Sequence, residues 1–245
     1  MKAMIFAAGL GTRFKPWTDQ HPKALAPVNG KSLLQRNIEY LQQYGITEVV
    51  VNVHHFANQI REAVENANGW GSKILISDER DEVLETGGGL LKAAPLLGNE
   101  PFLTINADVL TDLNLDALLQ FHQQEKALIS FGVTNRKSTR NILFDKQNRM
   151  QGWVNLATNE FRFPPESPYS AANALQELTP KAYSTVVVFS PAIFSLISRT
   201  GKFSLIDVYL DLAGTHKIMG FDHSGDRFID VGKPESVAQA EALFD

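Results

Sequence analysis

Residues 1–25 read MKAMIFAAGLGTRFKPWTDQHPKAL, and the organisation of the whole chain is read outward from them. Residues 3–7 form a short apolar run of strand character, and Ala8-Gly9-Leu10-Gly11-Thr12-Arg13 follows directly. Glycines at 9 and 11 leave backbone N–H groups free to approach a polyphosphate with no side chain in between. Arg13 adds a planar guanidinium fork that matches phosphate oxygens. From the glycines alone, a plain strand-to-loop turn reads equally well. A dinucleotide fingerprint needs a third glycine where Phe14 stands and a helix where Pro16 stands. A P-loop needs Gly-Lys-Ser/Thr, which this stretch lacks. Further on, Pro22-Lys23 places an ammonium group ten residues beyond Arg13.

Beyond the loop, strand and helix signals alternate. Apolar residues at helical spacing (Leu34, Ile38, Leu41) predict a helix over 33–44 that Gly45 stops. The pattern continues with a strand over 48–53, a helix over 57–67, a strand over 73–76 and a helix over 88–97 entered through glycines. A strand over 101–106, a helix over 115–124 and a strand over 128–133 complete it. This rhythm predicts an α/β fold, Rossmann-like, with a mostly parallel central sheet covered by helices on both faces. After residue 135 the pattern changes to short strands over 141–144 and 150–154, and a loop rich in Pro, Asn and Ser over 155–176. Then come a strand over 184–189, a short helix over 191–197, and a helix over 204–212 with Ser204 as cap and Asp207 at its third position. Strands over 217–221 and 227–229 precede a last helix with Pro234 at its first position. With no internal repeat, the chain reads as a single domain over 1–245, its second half carrying a small β subdomain.

Composition narrows the function. The 245 residues are 44% hydrophobic and 20% charged, ordinary for a globular protein. A formal net charge of −4 gives no basic footprint for nucleic acid. The absence of cysteine excludes disulfides, thiol nucleophiles and cysteine-held metals. The apolar run near the N-terminus is too short for a signal peptide, and no stretch approaches the roughly 18–20 apolar residues that cross a bilayer. The expectation is a cytoplasmic protein with no membrane partner.

The Gly-x-Gly-x-Arg loop and the Pro-Lys pair stand intact, in order and directly after the first strand. On these motifs the chain resembles the sugar-nucleotide pyrophosphorylase family, whose fold is of the GT-A type. The resemblance implies that Ala8 to Arg13 cradle a nucleoside triphosphate, with Arg13 and Lys23 gripping its phosphates and Lys23 near the α-phosphate. Residues 1–135 would then be the nucleotide-binding half and 136–245 the half that binds a sugar 1-phosphate. Asn106-Ala107-Asp108 closes the fourth strand, where ligand sites sit in open α/β sheets, and a carboxylate there suits Mg²⁺. Asp230, in Ile229-Asp230-Val231-Gly232, is the second carboxylate; for either aspartate alone a cap or turn role reads equally well. The resemblance pairs Asp108 with Asp230 as Mg²⁺ ligands and adds Asn106 to the nucleotide site.

Leu84-Glu85-Thr86-Gly87-Gly88-Gly89 precedes a predicted helix whose exposed N–H groups suit a base or an anion. In the family this segment meets the nucleobase, so Thr86, Gly87 and Gly88 are assigned to the nucleotide and Glu85 to the sugar or base. Its wording resembles the N-acetylmuramate 1-phosphate uridylyltransferases, and with them a place in cell-wall recycling. Guanylyltransferases acting on mannose 1-phosphate, the alternative, more often read Leu-Gly-Thr-Ala-Gly. On the acceptor side, relatives carry Glu-Lys where this chain reads Trp153-Val154-Asn155, which leaves Asn155 as the sugar contact. They carry glycine in place of Ala107 and of Thr185, both expected near the sugar. Adjacent His54 and His55 point to opposite faces of a strand, so they make no metal pair; one is expected at the pocket rim and the other in a structural role.

The implied reaction needs few groups. A sugar 1-phosphate has a second pKa of about 6 and is mostly a dianion at neutral pH, so no general base is required. The tasks are in-line positioning and charge neutralisation, with no covalent enzyme intermediate. A non-catalytic regulatory relative would have lost a phosphate or metal residue, and Arg13, Lys23, Asp108 and Asp230 are all present. A glycosyltransferase would carry Asp-x-Asp where Asn106-Ala107-Asp108 stands.

Overall fold

The computed structural model describes residues 1–244. Strand β1 (Lys2–Phe6) takes the middle of the sheet because Ala3, Met4 and Ile5 are apolar on both faces, and none of them reaches solvent. The first half continues through β2 (Pro27–Val28), β3 (Lys31–Ser32), α1 (Leu33–Gln43), β4 (Glu48–Val53), α2 (Ala57–Asn66) and β5 (Lys73–Asp78). Then follow α3 (Glu85–Leu97), β6 (Phe102–Asn106), β7 (Val109–Thr111), α4 (Leu115–Glu125) and β8 (Ile129–Thr134). The second half holds β9 (Arg140–Phe144), β10 (Met150–Asn155), β11 (Glu160–Arg162), α5 (Ala174–Glu177) and β12 (Thr179–Phe189). It ends with α6 (Ile193–Leu196), α7 (Leu205–Ala213), β13 (Ile218–Asp222), β14 (Phe228–Asp230) and α8 (Glu235–Leu243).

β6, β1, β4 and β5 lie side by side and parallel, as the strand–helix alternation requires. Period-two alternation sends Met4 and Val50 to one face, under α3 and α7. It sends Ala3, Ile5, Val49 and Val51 to the other, under α1, α2 and α4. Each fully buried Ile, Leu or Val on these faces contributes about 1.5–3 kcal/mol. Side-chain caps fix helix starts: Ser32 accepts from Gln35 N, Asn114 from Ala117 N, and Ser204 with Asp207 forms the expected capping box.

β12 is the joint between the halves. Its C-terminal residues Val187 to Phe189 pair antiparallel with β6, while Thr179 to Ala182 pair with β9. β8 runs along the opposite edge, with a register shift between Tyr183 and Val187. The sheet therefore forks at residues 183–187, with β6 on one branch and β9, β10 and β11 on the other. This strand begins earlier than the sequence suggests, because Pro180 reads as loop. Pro180 is accommodated where β9 is paired on one edge and β8 has not yet started on the other. The loop expected over 155–176 contains β11 and the first turn of α5. Both close a small cluster of Leu143, Val154, Ala174 and Leu178 with Phe161, Phe163 and Tyr169. Pro234 stands one position earlier than expected, as the residue that precedes α8.

Candidate active site

Where β1 ends, Ala7 N–H donates to Asn52 Oδ1 at 2.7 Å, and Asn52 Nδ2 donates to Glu79 Oε1 at 2.8 Å. Asn52 and Glu79 are buried, so this relay fixes the loop's departure angle from behind. Burial raises the Glu79 carboxyl above its usual range, against the Asn52 hydrogen bond. Gly11 sits at φ +61°, where a Cβ would also lie 2.7 Å from Thr18 Cγ2. Both facts require glycine there. Thr18 Oγ1 donates to Gly11 O at 2.9 Å and locks the turn. Gly9 is different, since no protein atom lies within 4 Å of the place a Cβ would take. Its backbone lines a cleft of about 250 Å³ together with Gly11, Thr12, Arg13, Lys23, Thr86, Asn106, Ala107, Asp108 and Gly232.

Asp108 lies between β6 and β7, and β14 pairs antiparallel with β7 so that Asp230 stands opposite Val109. Val231 N donates to Asp108 O at 2.8 Å. The two carboxylates, distant in sequence, are thus brought within electrostatic reach of each other, with Asp108 lining this cleft. Burial pushes the Asp230 carboxyl above its usual range, and neighbouring Asp108 pushes it further; Lys23, Arg13 and Arg136 pull it back. Lys23 Nζ donates to Asp108 Oδ2 at 2.5 Å, so the lysine expected at the phosphates and a candidate metal ligand neutralise each other. Asp230, raised by burial and by the charge of neighbouring Asp108, forms with it a hard-oxygen donor set that a divalent cation relieves. Mg²⁺ fits: it takes one or two protein carboxylates and completes its shell with phosphate and water. Among the described residues no cluster of three or more His, Asp or Glu offers another site.

At the fork in β12 a second cleft of about 770 Å³ opens, lined by Arg13, Arg136, Arg140, Trp153, Asn155, Tyr183, Thr185 and Asp230 among others. Arg13 lines both clefts, so they adjoin at the candidate metal site. Thr185 sits at φ +60°, a left-handed conformation that β-branched residues rarely adopt, and its buried Oγ1 has no hydrogen-bond partner. The bulge is pinned next door by buried Ser184, whose Oγ lies 2.7 Å from His223 Nε2. Arg136 Nη2 donates to Tyr183 O at 2.8 Å, and its guanidinium carbon lies 4.6 Å from the centre of the Phe228 ring.

The structure gathers Gly9, Gly11, Thr12, Arg13, Lys23, Thr86, Asn106 and Asp108 on the first cleft, and Asn155, Thr185 and Asp230 on the second. Ala107, expected on the sugar side, lines the first cleft instead. Ala8 is buried, while Leu10 turns its side chain to solvent. The glycine segment departs most from expectation. Helix α3 begins at Glu85, so Gly87 and Gly88 lie inside it, and both N–H groups donate to Phe203 O. Those donors are therefore engaged within the protein rather than presented to a base. A Cβ would lie 2.4 Å from Phe203 Cδ2 at Gly87 and 2.2 Å from Gly201 O at Gly88, so packing against this loop demands the glycines. Thr86 Oγ1 accepts from Leu205 N at 3.0 Å. Glu85 pairs with Lys202 at 3.7 Å and lines neither cleft. His54 takes the structural role, its Nδ1 donating to Glu79 O at 2.6 Å, while His55 packs on Phe56 at a ring separation of 3.9 Å, away from both clefts. Arg136, Arg140 and Tyr183 were not among the expected site residues. The basic run Asn135-Arg136-Lys137-Ser138-Thr139-Arg140 after a predicted strand was the available signal.

Residues 2–142 match the nucleotidyl transferase family. The chain belongs to that family. It is an enzyme, and the resemblance carried by the Gly-x-Gly-x-Arg and Pro-Lys motifs holds. It is 33% identical over 243 residues to an N-acetylmuramate α-1-phosphate uridylyltransferase of Neisseria meningitidis serogroup B, covering 99% of this chain and 98% of that one. A protein of the same description from Caulobacter vibrioides is 32% identical over 247 residues, covering 98% and 95%. Among solved structures, HddC from Yersinia pseudotuberculosis complexed with GMP-PN superposes with a TM-score of 0.78 at 23% identity, over 100% of this chain and 99% of that one. That likeness establishes the fold.

Proposed function

We propose that this nucleotidyltransferase joins UTP to N-acetylmuramate 1-phosphate, releasing pyrophosphate and forming the UDP-sugar. The observation that carries the transfer is the pair of adjoining clefts that share Arg13, with Lys23 and Asp108 in one and Asp230 in the other. The choice of UTP and of this sugar is supported by whole-length similarity to two uridylyltransferases of that description. The reading also places the enzyme in the cytoplasm; among the described residues no helix is long and apolar enough to cross a membrane.

In this reading residues 1–135 hold the triphosphate and residues 136–245 the acceptor. The backbone around Gly9 and Gly11 approaches the phosphates, and Arg13 and Lys23 neutralise them. The acceptor's phosphate oxygen attacks the α-phosphorus in line, the bond to the β-phosphate oxygen breaks, and pyrophosphate leaves. The nucleophile is already deprotonated at neutral pH, so no proton has to move. Mg²⁺ held by Asp108 and Asp230 would supply further positive charge and bring the two anionic substrates together. Lys23 must give up Asp108 to reach the α-phosphate, which makes their ion pair a feature of the substrate-free enzyme.

A pyrophosphate-release panel crossing the common nucleoside triphosphates with several sugar 1-phosphates, in the presence of Mg²⁺, tests the reading. The highest kcat/KM is expected for UTP with N-acetylmuramate 1-phosphate. Preference for GTP with mannose 1-phosphate would replace this substrate assignment, and no turnover with any pair would remove the catalytic reading.

A further inference from the structure

We infer that Arg140 is a specificity-determining residue whose guanidinium receives a second anionic group on the acceptor: the carboxylate that an acidic sugar 1-phosphate carries besides its phosphate. The inference rests on the acceptor-side reading above and deepens it.

The starting point is charge. The protein as a whole is acidic, with a net charge of −4, yet the acceptor cleft gathers Arg13, Arg136 and Arg140 against Asp230 alone. Two of these arginines are tied to the reacting end. Arg13 belongs to the phosphate loop and lines the nucleotide cleft as well. Arg136 is held by Tyr183 O and the Phe228 ring, within the electrostatic reach of Asp230. Arg140 stands apart from both. It opens β9 and is the cross-strand partner of Asn155, so the two side chains share one face of the sheet, next to the Ile142–Trp153 pair. The backbone there is fixed, since Ser138 Oγ donates to Arg140 O at 2.8 Å and accepts from Arg140 N at 3.3 Å. Among the described residues the Arg140 guanidinium has no hydrogen bond or ion pair. The contrast with Arg162 is instructive: it lies 5.9 Å from the Trp153 ring but is already paired with Asp207.

An acceptor bound with its phosphate towards Arg13 and Asp230 lays its ring against Trp153 and turns its far side to Arg140 and Asn155. A neutral sugar offers that wall hydroxyl and amide groups, which uncharged side chains such as Asn155 and Thr139 match without a guanidinium. An unpaired guanidinium fork matches a carboxylate, which it binds through two parallel hydrogen bonds. N-acetylmuramate carries such a group, a lactyl ether carboxylate, where N-acetylglucosamine carries a hydroxyl.

The test compares kcat/KM for N-acetylmuramate 1-phosphate and N-acetylglucosamine 1-phosphate, each with UTP, in the wild type, Arg140→Gln and Arg140→Lys. The wild type should favour the acidic sugar. Arg140→Gln should lower the acidic-to-neutral ratio about tenfold or more, mainly through KM, as loss of a charge-assisted pair implies. Arg140→Lys should recover part of the ratio, because it keeps the charge but not the fork. An equal loss on both sugars would put Arg140 on the phosphate they share and overturn the inference. Turnover of N-acetylmuramate 1-phosphate with an unchanged ratio in Arg140→Gln overturns this inference alone. Wild-type turnover of neutral sugar 1-phosphates only overturns the substrate reading with it.

Discussion

Replacing Thr185 by glycine should make the protein more stable and a poorer judge of its acceptor. At φ +60° a β-branched residue is strained by about 1–2 kcal/mol relative to glycine. The Thr185 hydroxyl is buried without a partner, a desolvation cost of about 1–3 kcal/mol that glycine removes. Against these stand glycine's extra freedom in the unfolded chain, about 0.5–1 kcal/mol, and a lost methyl contact of about 0.8 kcal/mol. The balance favours Thr185→Gly by about 2 kcal/mol, with extremes of about 0 and 4, and the central value is equivalent for a chain of this size to a rise in Tm of about 4–8 °C. The neighbouring Ser184–His223 hydrogen bond keeps the bulge in place in the variant. Urea melts should show a higher midpoint with unchanged slope. In the same preparation, sugar kcat/KM values should change while the KM for UTP stays put, because Thr185 lines the second cleft, proposed for the acceptor, and not the first. A lower urea midpoint would refute the strain argument. A larger change in the UTP KM than in the sugar KM would refute the placement.

Three further outcomes are expected. Lys23→Ala should lower kcat/KM by at least a hundredfold in pyrophosphate release, as loss of a charged contact to the α-phosphate implies (about 3 kcal/mol); near-normal kinetics would remove Lys23 from the phosphate site. Asp108→Asn and Asp230→Asn should each nearly abolish turnover, and a chelator should stop the wild type until Mg²⁺ is restored; chelator-resistant activity would contradict a metal held by this pair. Burial lowers His122 from 6.5 to about 4, so between those values the unfolded chain binds a proton that the native protein refuses. Stability should therefore fall as pH drops from about 6.5 to about 4, by up to about 3 kcal/mol, and level off below. His122→Gln should flatten that slope in pH-dependent urea melts, and an unchanged slope would assign it to other groups.

The parts of the site legible in sequence are those that depend on short-range order. Ala3 to Ile5 announce a buried strand, Gly11 a turn that forbids a side chain, and Leu34, Ile38 and Leu41 a helix face, each within a few residues. The Asp108–Asp230 meeting came through resemblance, because the β7–β14 pairing that creates it joins distant segments with no local signature. Gly87 and Gly88 show the same limit from the other side. Their sequence reads as an open turn, and what makes them helical is the Phe203 carbonyl and ring, which arrive from the other half of the chain. Arg140 gives no decisive local signal, because a basic loop residue looks solvated until the register with Asn155 places it on the wall of a cleft. The left-handed backbone at Thr185 is not legible in threonine itself, and its one signal is the glycine that relatives carry there.

The central claim is transfer of a uridylyl group between the two adjoining clefts. Its most direct measurement is the product of incubating the enzyme with UTP, N-acetylmuramate 1-phosphate and Mg²⁺, identified by mass spectrometry alongside released pyrophosphate. UDP-N-acetylmuramate and pyrophosphate in equal amounts is the predicted result. Pyrophosphate without the UDP-sugar, or neither product under conditions where the protein is folded, would contradict it.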